Sequence, residues 1–273
     1  EGSEDSFGRV LWALGRTAEL TRSHGLNLCA TSLSDRVIPC SNFLASPRAR
    51  AFAILGLAAY LKVYPGHRAA RAQIEIYATQ LLDLLRAQRR EGWTWLEPVL
   101  AYDNARLPEA LLRAGIVLES KDMREEAVAA LRWLCGQQTA PEGHFRPVGT
   151  QSFGVAYDAA RPFDQQPLEA WATIEACALA FEQTADRFWV EQAEAAFAWY
   201  LGANDIGLRL ATPDGGCFDG LQVDRVNLNQ GAESILAYQF AIMAIRRLRT
   251  RANHCTQQAD NPVGSAEGAA ACT

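Results

Sequence analysis

Residues 168–181 read LEAWATIEACALAF, and apart from two glutamates and one threonine every position is apolar. A run of this length without Gly or Pro predicts a helix, and a helix that is apolar nearly all round must be surrounded by protein. Residues 51–61 (AFAILGLAAYL) and 235–245 (ILAYQFAIMAI) have the same character. The sequence therefore predicts three helices that are buried on most sides.

Helices of a second kind lie between the buried ones. In residues 68–88, Ile74, Tyr77 and Leu81 recur at helical spacing along one face, which predicts an amphipathic helix with one face in water. Further helices of this kind are predicted around residues 123–134 and 188–201, and a short one over 27–37. An alternation of buried and half-buried helices is what two concentric helical rings require. We therefore predict an all-α fold, an (α/α) toroid of helical hairpins, with inner helices beginning near residues 5, 47, 103, 164 and 229.

Five inner helices do not close a ring of six hairpins. If the fold has six, the first inner helix lies upstream of Glu1, and residues 1–250 form an N-terminally incomplete toroid domain. The apolar flanks of the helices that begin near residues 5 and 229 would then be exposed, which predicts self-association. Residues 251–273 are small and polar, and we expect them to form a disordered tail.

Charge and hydropathy exclude two classes of partner. The chain has 31 acidic and 26 basic side chains, a formal net charge of -5, so nucleic acid is not expected to be the main partner. No apolar run is long enough for a transmembrane span. The acidic residues 1–9 do not resemble a signal peptide.

Cysteine and histidine patterns indicate reduced thiols and no metal. The seven cysteines are scattered without a CxxC motif, which is typical of a cytoplasmic protein. The four histidines lack the spacing of metal ligands. We therefore expect a cytoplasmic protein that needs no metal and no other cofactor.

The starts of the predicted inner helices are unusually polar. They read EDSFGR at 4–9, YDNARLP at 102–108, FDQQPLE at 163–169 and NLNQGAE at 227–233. Helix capping explains one short acceptor at each start, but not three or four polar residues. In a toroid these ends converge on one side of the funnel, and a lining of carboxylates and amides suits a neutral polyol such as a sugar. The predicted sugar-binding residues here are Asp5, Arg9, Asn104, Arg106, Gln165, Gln166, Glu169, Asp219, Asn229, Gln230 and Glu233.

Aromatic residues lie in the loops before these starts. Trp93 and Trp95 precede the second motif, and loop 139–163 contains Phe145, Phe153 and Tyr157. Aromatic rings stack on the C–H faces of pyranose rings, and they also pack loops against a core. Both interpretations stay open for the two tryptophans, which we include among the sugar-binding candidates. The length of loop 139–163 also favours a functional lid.

Cleavage of a glycosidic bond usually needs two carboxyl groups, one protonated and one ionised. Asp103 and Asp164 stand at the starts of successive predicted inner helices, and Glu97 lies one loop away. These three are the predicted catalytic residues. For each, hydroxyl binding or helix capping is the alternative role.

The segments EDSFGR, WLEPVLAYDNARLPEAL, FDQQPLEA and VNLNQGAES, in this order, resemble the helical domain that accompanies bacterial glycosyltransferases of the retaining two-Rossmann type. The resemblance covers roughly residues 1–250. It implies an (α/α)6 toroid similar in architecture to six-hairpin glycosidases, with a glycosyltransferase domain as a partner. That family has a further upstream motif, paired aspartates followed by Asn-Ala-Arg, which this sequence lacks. This sequence also contains no Gly-rich nucleotide-binding loop of the kind found in a transferase domain.

Two functions follow from these observations. The first is a carbohydrate-active enzyme that cleaves or rearranges a glycosidic bond of an oligosaccharide or glycan. The second is a non-catalytic glycan-binding or accessory domain that serves a glycosyltransferase. Other α/α toroid enzymes fit less well, because the sequence has no DxDD or DDxxD cluster and no Cys/His zinc site, and only His144 could serve a sugar epimerase.

Overall fold

The computed structural model describes residues 3–260, and the side chains of residues 3–255. This part of the chain contains nine α-helices and one short antiparallel pair of strands, β1 (Gly220–Leu221) and β2 (Val226–Asn227). The helices are α1 (Glu4–Leu20), α2 (His24–Val37), α3 (Pro47–Val63), α4 (Arg68–Gln88), α5 (Arg106–Val117), α6 (Lys121–Gln137), α7 (Pro167–Thr184), α8 (Phe188–Tyr200) and α9 (Ala232–Asp260).

The predicted helices are present, with shifts at some of their starts. The bounds of α4 coincide with the prediction, and α1 and α3 begin at or next to the predicted residue. The helices α5, α7 and α9 begin three residues later than predicted, because the polar residues before them form turns and caps rather than the first helical turn. The short helix predicted over 27–37 is α2, which begins at His24.

The chain divides into two compact units. Unit 1 consists of Glu1–Glu97 and Arg106–Ala130, and unit 2 of Pro98–Ala105 and Leu131–Thr273. Each unit contains both kinds of helix that the sequence predicts.

In unit 1, α1 and α3 run in the same direction with their backbones in contact. Gly8 faces Ala49, and about two helical turns further along both helices Gly15 faces Gly56. The carboxylate of Glu4 accepts hydrogen bonds from the backbone N–H groups of Ala45 and Ser46 at 2.6 and 2.7 Å. Because Ala45 and Ser46 directly precede α3, the first turn of α1 thereby fixes the segment that leads into α3.

In unit 2, α7 and α9 also run in the same direction, and α8 runs against both. Trp171 stacks on Phe240 at 5.1 Å between ring centroids, and further along both helices Glu175 pairs with Arg247 at 3.1 Å. At the C-terminal end of α8, the hydroxyl of Tyr200 donates to the carbonyl of Pro167, the first residue of α7, at 2.6 Å. The polar starts of α7 and α9 therefore lie at the same end of unit 2.

Burial matches the prediction for α3 and α7, and differs for α9. Nearly every residue over 48–61 and over 167–181 is buried. The prediction that residues 235–245 are surrounded by protein is wrong, because Leu236, Phe240 and Met243 are exposed along one face of α9.

Two further predictions concern the ends and the membrane. Helix α9 continues to Asp260, so residues 251–260 are helical, and residues 261–273 of the predicted tail lie outside the described part. Over residues 3–260, no helix is both long enough and apolar enough to cross a membrane.

Candidate functional site

The irregular segments at the N-terminal ends of α7 and α9 form one hydrogen-bonded layer in unit 2. The backbone N–H of Gly149 donates to Arg161 at 2.8 Å, and that of Thr150 donates to Asp164 at 3.0 Å. Gln165 and Leu221 exchange two backbone hydrogen bonds at 2.9 Å each. The loops that carry the predicted site residues therefore hold one another in place through their backbones.

A buried carboxylate ties the turn at 101–104 to the start of α7. Glu169, which is 1% exposed, accepts hydrogen bonds from the backbone N–H of Asp103 and from Asn104, at 3.3 Å from its backbone N–H and 3.1 Å from its side-chain amide. The side chain of Asn104 also closes the turn on Ala101 through two hydrogen bonds of 2.6 and 3.1 Å. Asn104 and Glu169 are thus held inside the protein by each other.

This environment changes the acidity of Glu169. Burial, followed by the nearby charge of Asp103, raises the pKa of Glu169 to about 7, although the hydrogen bonds from Asn104 and Asp103 act in the opposite direction. A carboxyl group with this pKa carries a proton for much of the time at neutral pH. Asp103 and Glu169 together therefore hold less than two full negative charges.

Asp103 itself is fully buried and has a left-handed backbone conformation, with φ of 50°. This conformation is uncommon outside glycine, although Asp tolerates it better than most residues, and it is concentrated at sites where neighbouring structure enforces it. The structure thus places the first predicted catalytic residue beneath the surface, next to Glu169.

Asp164, the second predicted catalytic residue, lies at the surface. Asp164 is half-buried. Its backbone is fixed by Thr150, whose hydroxyl accepts from the Asp164 N–H at 3.2 Å. Its carboxylate forms no hydrogen bond or ion pair with any other residue in the range 3–260. A fixed backbone with a carboxylate that no protein group engages is a suitable arrangement for binding a ligand.

The two glutamines that follow Asp164 have different surroundings. Gln165 is fully buried, and its side chain donates to Pro162 at 2.8 Å and Asp205 at 2.5 Å and accepts from Trp199 at 2.6 Å. Both amide N–H groups and one acceptor site of Gln165 are engaged by protein groups, which favours a structural role over the predicted sugar contact. Gln166 is half-buried at the N-cap of α7, and its side chain does not cap the helix.

At the start of α9 the polar residues divide in the same way. Asp219 accepts from the backbone N–H of Gly231 at 2.6 Å and from the side chain of Asn229. Burial would raise the pKa of Asp219, but hydrogen bonds from Ser234, Gly231 and Asn229 outweigh it and lower the pKa. Asp219 therefore stays ionised as the cap of α9. The neighbouring predicted residues Asn229, Gln230 and Glu233 are exposed.

The third predicted catalytic residue, Glu97, belongs to unit 1 and is held in an ion pair. Arg48 donates from one nitrogen to both Glu97 oxygens, at 2.8 and 2.6 Å, and the two side chains are only 5% and 15% exposed. Trp93 donates its indole N–H to the Glu97 carbonyl at 2.9 Å. Trp93 and Trp95 are 5% and 0% exposed, so in this conformation the rings pack in the interior, the second of the two open interpretations.

The remaining predicted residues of unit 1 also contact protein groups. Asp5 and Arg9 form an ion pair at 3.4 Å within α1, and the Arg9 guanidinium lies 4.1 Å from the centre of the Phe52 ring. Arg106 is fully buried and pairs with Glu109 at 2.6 Å. Asp5 and Arg9 are half-buried and face solvent in part, whereas Arg106 does not.

Sequence reasoning did not find the ionic cluster around Asp205. Arg146 donates to Asp205 at 2.7 Å through Nε, and His144 Nε2 lies 3.3 Å from the same carboxylate. Burial opposes ionisation of Asp205, but Arg146 and Gln165 outweigh it and lower its pKa. No motif identifies this cluster, because its members come from loops about 60 positions apart. The one feature of the sequence that could have indicated it is the opposite charge of residues in the two loops. Within the described part of the chain, no three His, Cys, Asp or Glu side chains come together as metal ligands would.

Several solved structures with a similar arrangement of helices are, according to their names, enzymes that act on carbohydrates. An unsaturated glucuronyl hydrolase specific for heparin superimposes with a TM-score of 0.60 and 13% identity, over 79% of this chain and 60% of that one. A D-mannose isomerase gives 0.58 and 15%, over 91% and 73%. Cellobiose 2-epimerase from Bacillus thermoamylovorans B4167 gives 0.58 and 12%, over 90% and 74%.

These likenesses show the fold of the chain, that of the six-hairpin glycosidase-like (α/α) toroids, and confirm the predicted fold class. The chain spans less than two thirds of the length of the glucuronyl hydrolase. No family model matches the sequence, and no curated protein matches it. The association with a glycosyltransferase stays a prediction.

Proposed function

We propose that this protein is a carbohydrate-active enzyme that acts on a glycosidic bond at the N-terminal ends of α7 and α9. The observation that carries the proposal is the Asp164 carboxylate, which is half-buried, fixed through its backbone and engaged by no other residue in 3–260. The exposed amides and carboxylate of Asn229, Gln230 and Glu233 belong to the same end of unit 2. Such groups bind sugar hydroxyls, which both donate and accept hydrogen bonds.

The chemistry needs a carboxyl group that gives a proton and another that stays ionised. We assign Asp164 as the carboxylate that contacts the sugar and Asp103 as its partner. Because Asp103 is fully buried, it can contact substrate only if binding displaces the groups that cover it. Glu169 does not reach the surface, so we assign it as a positioning residue that holds the turn at 101–104.

Glu97 fits the reaction less well than the other two predicted residues. Both of its oxygens accept from the Arg48 guanidinium, at 2.8 and 2.6 Å, so the carboxylate is occupied by a protein group. We therefore propose that Glu97 has a structural role in unit 1, and that the catalytic pair comes from unit 2.

Support from the fold is an analogy. Six-hairpin folds serve hydrolases, isomerases and epimerases, as the names of the three similar structures show, and a fold alone does not fix the chemistry. The residues distinguish them in part: His144 is paired with Asp205, and of the four histidines only this one lies in the loops of unit 2. The carboxylates therefore favour chemistry at a glycosidic bond.

The test is sugar release from manno-, gluco- and galacto-oligosaccharides, measured by chromatography of the products. Asp164→Asn should abolish release while leaving the fold intact, because the side chain has no structural partner. Asp224→Asn, an exposed aspartate on a neighbouring loop, is the matched control and should keep full activity. Release that survives in Asp164→Asn would overturn the assignment.

The second candidate function is a non-catalytic glycan-binding or accessory domain of a glycosyltransferase, located in the cytoplasm. It is favoured by the burial of Asp103, which leaves one rather than two carboxyl groups of the pair at the surface. In that case no oligosaccharide is cleaved, and Asp164→Asn keeps most of its affinity for the same oligosaccharides.

A further inference from the structure

Loop 139–163 presents two aromatic side chains to solvent. Phe153 and Tyr157 are 39% and 38% exposed, whereas Phe145 in the same loop is 3% exposed. We refer to residues 153–157 as the aromatic tip. Two large rings that are partly exposed at one loop tip form an apolar feature of the surface.

Hydrogen bonds hold the backbone of the aromatic tip on both sides. The N–H of Phe153 donates to Thr150 at 3.1 Å, and that of Val155 donates to Ser152 at 3.1 Å. On the far side, the N–H of Tyr157 donates to the carbonyl of Pro98 at 2.6 Å. The two exposed rings therefore project from a backbone that is anchored to the rest of unit 2.

The conformation at Tyr157 is itself unusual. Its φ is 53°, in the left-handed region that Gly154, with φ of 77°, occupies without a penalty. For a residue with a bulky side chain this conformation is unfavourable. Residues held in this conformation are concentrated at functional positions.

The aromatic tip is connected directly to the proposed reacting carboxylate. Thr150, which pairs with Asp164 at 3.0 Å, is also the residue whose carbonyl accepts from Phe153. Adding the spacing of a backbone pair to the span of one turn places the Cα atoms of Phe153 and Asp164 within about 12 Å of each other. An oligosaccharide of a few units can therefore contact both residues at once.

We propose that the aromatic tip stacks on a pyranose ring of an oligosaccharide whose neighbouring unit contacts Asp164. This inference rests on the proposed function and specifies the substrate class as an oligosaccharide rather than a free monosaccharide. The apolar C–H face of a pyranose ring covers an aromatic ring while the hydroxyls around its edge remain in water. Tyrosine suits this role, since it offers a large contact area at a low cost in conformational entropy.

The test measures binding separately from turnover, by titration calorimetry and saturation-transfer NMR. The probes are cellotetraose, mannotetraose, glucose and mannose, and the protein carries Asp164→Asn so that no probe is consumed. In this background Phe153→Ala and Tyr157→Ala should each weaken tetrasaccharide binding by about tenfold, with monosaccharide binding unchanged. Tyr157→Phe keeps the ring and should bind as the parent does. Phe43→Ala, at an exposed aromatic of unit 1, is the control.

The outcomes separate this inference from the proposed function. Loss of tetrasaccharide affinity in the tip variants supports the inference even if the wild-type protein releases no sugar, a result that would overturn only the enzymatic proposal. Equal affinity in all variants would overturn the inference and leave the enzymatic proposal standing. Failure of both tetrasaccharides to bind would also overturn the inference.

Discussion

The side-chain amide of Asn104 donates to the carboxylate of Glu169 at 3.1 Å, across 65 positions of sequence. Both residues are buried, and the same carboxylate accepts the backbone N–H groups of residues 103 and 104. The Glu169 side chain, at the start of α7, therefore supplies the hydrogen-bond acceptors for the backbone of the turn before α5. The geometry of that turn, and with it the position of Asp103, depends on Glu169.

The raised pKa of Glu169 predicts a pH-dependent stability. Because its pKa rises from 4.5 in the unfolded chain to about 7 in the folded one, the folded protein binds more protons between these values. The contribution of Glu169 to the free energy of unfolding is complete below pH 4.5. It falls by at most about 3 kcal/mol as the pH rises to about 7, and it is constant above that pH. Thermal unfolding between pH 4.5 and 8 measures this change.

Glu169→Gln is the matched variant for that measurement. The variant removes the titrating group, so it should lose most of the fall in stability toward pH 7. Because an amide NH2 cannot accept the N–H groups that the carboxylate accepts, the variant should be less stable than the wild type near pH 5. An unchanged slope in the variant would show that other groups, and not Glu169, cause the dependence. The carboxylates whose pKa values are lowered, such as Asp205 and Asp219, have their effect at lower pH and do not interfere.

The ion pair between Arg48 and Glu97 predicts non-additive mutations. Arg48→Met leaves the Glu97 carboxylate largely buried without its main cationic partner and should cost about 3–5 kcal/mol of unfolding free energy. The double variant Arg48→Met/Glu97→Gln should recover a large part of that loss, because no buried charge remains. Urea unfolding of the two single variants and the double variant measures the coupling, and additive losses would contradict the prediction. Glu97→Gln alone should retain sugar release if Glu97 is structural.

The fold was largely predictable from periodicity, and the site only in part. Helix α4 is amphipathic over its whole length, so the pattern identifies its bounds, and the polar starts of α7 and α9 are visible as motifs. Motifs do not reveal the direction of each side chain. Asp164 and Gln165 are neighbours in sequence, yet the first faces solvent in part and the second is completely buried against Asp205 and Trp199. Such tertiary partners lie 34 and 40 positions away, beyond the reach of local patterns.

Gly15 illustrates a constraint that the sequence hides. An isolated glycine inside a helical pattern would ordinarily be an unfavourable choice, yet here a Cβ would overlap the carbonyl oxygen of Gly56 on the neighbouring helix. Gly15→Ala should therefore force α1 and α3 apart and cost about 1–3 kcal/mol. Gly25→Ala in α2, where a Cβ meets nothing within 4 Å, is the control and should be neutral or stabilising by up to about 1 kcal/mol. Thermal unfolding of both variants measures the difference, and equal melting temperatures would contradict the close contact.

The exposed face of α9 predicts self-association. Leu236, Phe240 and Met243 are 53%, 38% and 46% exposed and recur at helical spacing, so they form one apolar stripe that water solvates poorly. The protein should therefore associate increasingly as its concentration rises, and Leu236→Gln/Met243→Gln should shift the distribution toward monomer. Val223→Gln, at an isolated exposed apolar residue, should leave it unchanged. Sedimentation velocity over a range of concentrations measures all three proteins, and a wild type that remains monomeric at the highest concentration would show that the stripe does not drive association.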